Sequence, residues 1–228
     1  VTFLLLHGFT GLPESWAPVG LEDAFAPPLP GHGLDPSPVG SFDDTVEQLL
    51  ETAPPGAHLV GYSLGGRLAQ AMAARAPRRF ASLTVIGAHP GLRDEPARSE
   101  RRRSDAGWAR RLRRDGLEAF VDAWEALPLW ASQAGLPAAV LATQRAARLA
   151  HRAEALAEAL TRLGLAEMPS YHAFWERPPL PARRLVGALD APYRTLYADG
   201  PMTLVEGAGH NVVLERPVAL RGLLLGGS

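Results

Sequence analysis

Gly61-Tyr62-Ser63-Leu64-Gly65-Gly66-Arg67 is the stretch on which the fold turns. His58-Leu59-Val60 leads into it as a short apolar run, and Leu64 to Arg75 follows it, rich in Ala, Gly and Leu with no proline before Pro77. That is a buried strand, a sharp turn and a close-packed helix, the setting in which Gly-x-Ser-x-Gly lifts a serine into the open. The glycines have a steric reason: a turn that strains the serine backbone leaves no room for side chains two residues before and two residues after it. At the helix N-terminus, free N–H groups and the positive end of the helix dipole can stabilise negative charge. The competing reading is a Gly-rich turn whose serine merely caps a helix.

Working outward, the same strand, loop and helix alternation recurs. Val1 to Leu6 reads as a buried strand, too short for a signal or membrane segment. It runs into His7-Gly8-Phe9-Thr10-Gly11, a loop whose backbone N–H groups can turn toward a common point. Such a loop supplies half of an oxyanion hole from Phe9 N–H, with Leu64 N–H as the other donor; an ordinary glycine turn is the alternative. Ser15-Trp16 starts or caps a short helix, and Ala24-Phe25-Ala26 is a brief strand. His32, between Gly31 and Gly33, reads as a structural hydrogen-bonder. Ser41-Phe42-Asp43-Asp44 carries an N-cap signature for a helix running to about Ala53. Phe80 to Gly87 is a further buried strand, so the core is α/β: a mostly parallel sheet flanked by helices.

Between His89 and Arg184 the pattern changes to long stretches of Ala, Arg, Leu and Glu without a β run. We read residues 89–184 as an inserted helical cap, and 1–88 with 185–228 as the core. The Arg-rich run from Arg98 to Arg114 is a solvated helix face or a nucleic-acid patch; its acidic neighbours favour the solvated face. Leu117 to Trp124 has helical spacing, Pro128-Leu129-Trp130 a turn, and Ala138 to Leu163 an Ala-rich helix broken near His151. The β pattern resumes at Arg184 and leads to Asp190. Met202 to Glu206 is the last strand, Gly207-Ala208-Gly209-His210 its loop, and Pro217 to Leu225 a closing helix. Ser63, Asp190 and His210 therefore each follow a strand, at the sheet edge where α/β folds place their sites. A serine is a weak base or nucleophile until an imidazole takes its proton, and a buried carboxylate holds that imidazole in the right tautomer.

Composition narrows the options. The chain has 228 residues, 46% of them hydrophobic, enough for one sizeable core. Its formal net charge of -1 argues against a general affinity for nucleic acid or anionic membranes. Without cysteine there is no disulfide scaffold and no thiolate metal site, and a reducing cytoplasm is the natural compartment. The seven histidines show no zinc-binding spacing, so no metal or cofactor is expected.

His7-Gly8-Phe9 with Gly11 and Trp16, Leu29-Pro30-Gly31-His32-Gly33, the Ser63 elbow, Gly187-Ala188-Leu189-Asp190 and Gly207-Ala208-Gly209-His210 together resemble the α/β-hydrolase superfamily over nearly the whole chain. Within it the chain is similar to the 2-succinyl-6-hydroxy-2,4-cyclohexadiene-1-carboxylate synthases of menaquinone biosynthesis, through Tyr62, Arg67, Pro90-Gly91-Leu92, Arg101-Arg102-Arg103-Ser104-Asp105 and Trp124 to Gln133. The resemblance implies a lyase that eliminates pyruvate from 2-succinyl-5-enolpyruvyl-6-hydroxy-3-cyclohexene-1-carboxylate, with Ser63, His210 and Asp190 abstracting a proton. It also implies Tyr62, Arg67, Arg101, Trp124 and Arg148 as substrate-binding residues. Physical reasoning agrees for Arg67: one helical turn after Ser63 it lies on the same face, and a polycarboxylate needs fixed cations. The chain departs from the family pattern at His151-Arg152, where relatives carry Asn, and in the short stretch after Asp190. Two other functions remain open on the residues: a serine carboxylesterase or carbon–carbon bond hydrolase, and a non-catalytic ligand-binding protein of the same fold.

Overall fold

The computed structural model describes residues 2–35 and 37–226, so Val1 lies outside the described residues. Six strands, β1 (Phe3–Leu6), β2 (Ala24–Phe25), β3 (Ala57–Tyr62), β4 (Phe80–Ile86), β5 (Ala182–Gly187) and β6 (Thr203–Val205), form one parallel sheet in the order β2-β1-β3-β4-β5-β6. The chain steps from β1 outward to β2, then returns to place β3 on the other side of β1. Winding therefore reverses between β1 and β3, and the loops leaving their C-terminal ends diverge to open a crevice. Gly8-Phe9 leaves β1 and Ser63 leaves β3 at that point.

Side-chain alternation sends the strands' apolar residues to two layers. Leu4, Leu6, Leu59, Leu83 and Val85 pack with Val46 and Leu49 of α1 (Phe42–Thr52) and with Leu68 and Met72 of α2 (Leu64–Arg75). Phe3, Leu5, Val60, Ile86, Leu185 and Val205 face the opposite layer, built from the 3-10 turn Pro13–Val19 and two late helices, to which we return. At the start of α1 the expected cap is present: Ser41 Oγ accepts from Asp44 N–H at 3.1 Å while the Asp44 carboxylate accepts from Ser41 N–H at 2.9 Å.

From β4 the chain runs through α3 (Glu95–Glu125), a 3-10 stretch Pro128–Gly135, α4 (Ala138–Leu149), α5 (Ala153–Arg162) and α6 (His172–Glu176) before β5. α3 bends at Gly116, whose φ of 82° breaks helical geometry, so that Leu112, Phe120 and Val121 share a small core with Leu156, Ala157 and Leu160 of α5. The basic run is largely a solvated, ion-paired face: Arg102 meets Glu95 and Glu167, and Arg113 meets Glu154. Arg98 instead reaches back to the carbonyls of Leu92, Ala166 and Met168. β5 begins at Ala182, ahead of the expected resumption at Arg184, because Ala182 and Arg183 already pair with Leu83 and Thr84. The sheet closes through α7 (Ala191–Leu196), α8 (Val212–Glu215) and α9 (Pro217–Leu224), the last two completing the second layer with Val212 and Leu220. Among the described residues no helix is long and apolar enough to cross a membrane, and no group of three or more His, Asp or Glu is arranged to hold a metal ion.

Candidate active site

Ser63 sits between β3 and α2 with φ 50° and ψ -109°, a conformation that few non-glycine residues adopt. Packing explains why the strain is tolerated. A Cβ on Gly61 would overlap the Gly65 carbonyl, and one on Gly65 would overlap the Leu6 carbonyl, so strand and helix meet backbone to backbone. Gly65 N–H donates to His7 O at 3.0 Å and Ser63 N–H to Ile86 O at 2.9 Å, which pins the turn from both sides. Leu64 opens α2, so its N–H has no intrahelical acceptor, and Leu64 and Phe9 both line the cavity at the serine.

His210 Nε2 lies 3.3 Å from Ser63 Oγ, and His210 Nδ1–H donates to Asp190 Oδ2 at 2.8 Å. Asp190 and His210 are both buried, each about 3% exposed. The direction of these bonds leaves Nε2 as the acceptor for the serine proton, the tautomer a general base requires. Tyr62, Tyr193 and Trp130 surround the imidazole, with ring centroids 5.5, 4.8 and 5.8 Å away.

The serine opens into a cavity of about 250 Å³. Aromatic walls come from Phe9, Trp108, Trp124 and Trp130, and its polar end from Arg67, Arg101, Ser104, Asp105 and Tyr193. Arg67 donates to Leu163 O at 2.7 Å and makes no ion pair among the described residues. Burial, and then the neighbouring Arg101, pull its guanidinium down to about 10, so it stays charged at neutral pH. Arg101 is tied through Nε to both Asp105 oxygens at 2.9 Å and remains 40% exposed. The Tyr62 and Tyr193 phenols are pushed up, chiefly by burial, and both remain neutral hydrogen-bonding groups at neutral pH.

Residues 3–222 match the alpha/beta hydrolase family. The chain belongs to that family. Among the relatives of this hydrolase-family chain, the 2-succinyl-6-hydroxy-2,4-cyclohexadiene-1-carboxylate synthase of Salmonella heidelberg (strain SL476) is 36% identical over 230 residues, spanning 96% of this chain and 90% of that protein. The synthase of the same name from Enterobacter sp. (strain 638) is 34% identical over 236 residues, 97% of this chain and 89% of that one. The solved structure of MenH from S. aureus superposes with a TM-score of 0.88 at 27% identity, covering 99% of this chain and 92% of that chain. A thermophilic esterase from Thermogutta terrifontis, at 24% identity and a TM-score of 0.77 over 99% and 88%, shares the fold.

Of the residues singled out in this hydrolase-family sequence, Phe9, Tyr62, Ser63, Leu64, Arg67, Arg101, Trp124 and His210 border one cavity, with Asp190 directly behind the histidine. Arg148 does not border it. Its guanidinium is 4% exposed, pairs with Glu125 at 3.0 Å and lies 5.0 Å over the Trp130 ring, so it lines a neighbouring cavity beyond Tyr62 and Trp130. His151 also has structural work: its Nδ1 accepts from Gly33 N–H at 2.7 Å and its Nε2–H donates to Thr10 O at 3.1 Å. This joins the turn before α5 to the first loop and to the Gly31–Gly33 loop. Among the aromatic residues of the cavity, Tyr193 and Trp108 escaped sequence reading, and Trp130 was read only as part of a turn. Tyr193 had a usable signal, since it falls in the first turn of the helix that Asp190 caps.

Proposed function

We propose that the chain is a carbon–oxygen lyase that eliminates pyruvate from 2-succinyl-5-enolpyruvyl-6-hydroxy-3-cyclohexene-1-carboxylate to give 2-succinyl-6-hydroxy-2,4-cyclohexadiene-1-carboxylate. The observation that carries this reading is Arg67: a charged guanidinium in the cavity of the serine that makes no ion pair among the described residues, the nearby Asp105 being bonded to Arg101, so that a neutral ester would leave it unpaired. The names of the synthase relatives support the same reaction.

In this scheme His210 Nε2 takes the Ser63 proton as Ser63 Oγ removes a proton from substrate carbon. The electron pair of that C2–H bond forms the C2=C3 double bond, the existing C3=C4 pair shifts to C4=C5, and the C5–O bond to the enolpyruvyl group breaks; the departing enolate takes the proton held on the His210 imidazolium and becomes pyruvate. Asp190 stabilises the imidazolium through Nδ1–H. Phe9 N–H and Leu64 N–H hold the negative charge that develops on a substrate oxygen. Arg67 and Arg101 take substrate carboxylates, Tyr62 and Trp124 wall the ring, and the helices of 89–184 cap the pocket. Nothing in this chemistry requires a cofactor, nucleic acid or membrane, and a small polycarboxylate met in the cytoplasm suffices as partner. The test is incubation with the enolpyruvyl substrate while following pyruvate, beside a panel of p-nitrophenyl esters. Rapid pyruvate release with slow ester cleavage is expected; brisk ester cleavage without pyruvate would make the chain a carboxylesterase.

A further inference from the structure

His210 is held by a carboxylate that the proton-transfer scheme leaves idle. Glu215, in the last turn of α8, is 4% exposed. Its Oε2 accepts from Gly209 N–H at 2.7 Å and its Oε1 from Asn211 N–H at 3.1 Å, the peptide N–H groups of the residues on either side of His210. No cation pairs with it among the described residues; the adjacent Arg216 turns its side chain to the Glu206 and Glu215 backbone carbonyls. Burying a carboxylate without a counter-ion is unfavourable, and capping of α8 does not demand it, because Asn211 Oδ1 already accepts from Leu214 N–H at 3.2 Å.

The rest of the loop is confined as well. A Cβ on Gly209 would overlap Ser132 Oγ, one on Gly187 would overlap the Gly209 carbonyl, and one on Gly87 would stand 3.1 Å from His210 Cε1. The Asp190 bond fixes only one ring nitrogen, so the ring can still swing about it. The distance from Nε2 to Ser63 Oγ is then set by where the His210 backbone stands. We propose that Glu215 is a positioning residue: by gripping the N–H groups on both sides of His210 it fixes the imidazole within reach of Ser63. This rests on reading Ser63 and His210 as the reacting pair and is independent of which substrate they serve.

Two measurements on the full-length protein test it. Glu215→Gln retains the shape of the side chain but leaves one of the two N–H groups facing an NH2. Phosphonylation of Ser63 by a fluorophosphonate, which reads serine activation without the natural substrate, should slow by about 10- to 100-fold, the scale on which misplacing a reacting group acts. The melting temperature should move little, and the downfield proton resonance of the His210 Nδ1–H···Asp190 bond should shift or broaden. Glu215→Asp, which keeps both oxygens, should recover part of the rate, and it stands in with the same two readouts if Glu215→Gln does not fold. Labelling at the wild-type rate with an unchanged resonance would overturn the proposal. So would a rate loss that only tracks the unfolded fraction. Wild-type protein that takes no label at Ser63 would instead remove the reacting pair on which the clamp depends.

Discussion

Replacing Arg67 by Ala separates substrate recognition from architecture. Burial, with Arg101 adding to it, brings this guanidinium from 12.5 down to about 10. At about 1.4 kcal/mol per tenfold, that is a cost of roughly 3 kcal/mol for keeping the charge in the folded protein, less whatever water at the cavity mouth screens. The bond to Leu163 O and the more distant charge of Asp105, itself bonded to Arg101, offset part of it; among the described residues no carboxylate in ion-pair contact offsets the rest. A substrate carboxylate would, and truncating one partner of such a pair costs about 2 to 5 kcal/mol. Arg67→Ala should therefore lower kcat/KM for the enolpyruvyl substrate by roughly 30- to 4000-fold in a coupled pyruvate assay. Arg67→Lys should recover only part, since an ammonium keeps the charge but not the planar fork. Cleavage of small neutral esters should be unchanged or improved, and the melting temperature close to wild type. Parallel losses on both substrates with a lowered melting temperature would refute the reasoning and make Arg67 a strut between α2 and the Leu163 carbonyl.

Other predictions follow from the same geometry. Ser63→Ala and His210→Ala should each abolish most pyruvate release while leaving far-ultraviolet circular dichroism unchanged, and the double variant should lose little more, because the two side chains act as one proton-transfer unit; near-normal turnover by folded Ser63→Ala would contradict this. Acid should destabilise the protein through its buried histidines. His7 is lowered from 6.5 to about 4, mainly by burial, and His32 is also lowered well below its ordinary value by the same cause. Below pH 6.5 the unfolded chain binds the proton first, so stability is complete above that pH and declines as pH falls through about 4. His7 alone accounts for roughly 2 kcal/mol by pH 5. Urea midpoints that are equal at pH 5 and pH 7.5 would show that these rings are not held neutral.

The elbow, the three post-strand loops and the alternation of strands with helices were legible because each has a local cause: period, glycine sterics, or a cap such as Ser41 with Asp44. The Ser63–His210–Asp190 constellation was legible because a parallel sheet brings the ends of β3, β5 and β6 to one edge. What escaped depends on contacts between distant segments. Arg148 shares its Ala-rich helix with Arg145, which is a third exposed and pairs with Asp122, and only Glu125 and Trp130, brought over by the bend at Gly116 and the following turn, decide which way Arg148 points. The histidines looked scattered, yet His7, His32 and His151 stack edge to face at 5.0 and 5.6 Å. Their role is to tie the first loop, the Gly31–Gly33 loop and the start of α5 together. Glu215 lies in a helix of four residues, too short for any periodic signal.

The central claim is that the serine acts as a base and forms no acyl-enzyme. A single-turnover experiment with substrate deuterated at the carbon that loses its proton tests it most directly, following the diene product while intact-protein mass is sampled through the reaction. The account predicts slower product formation from the deuterated substrate and an unchanged protein mass throughout. Equal rates for the two substrates, with a transient mass increase that maps to Ser63, would contradict it.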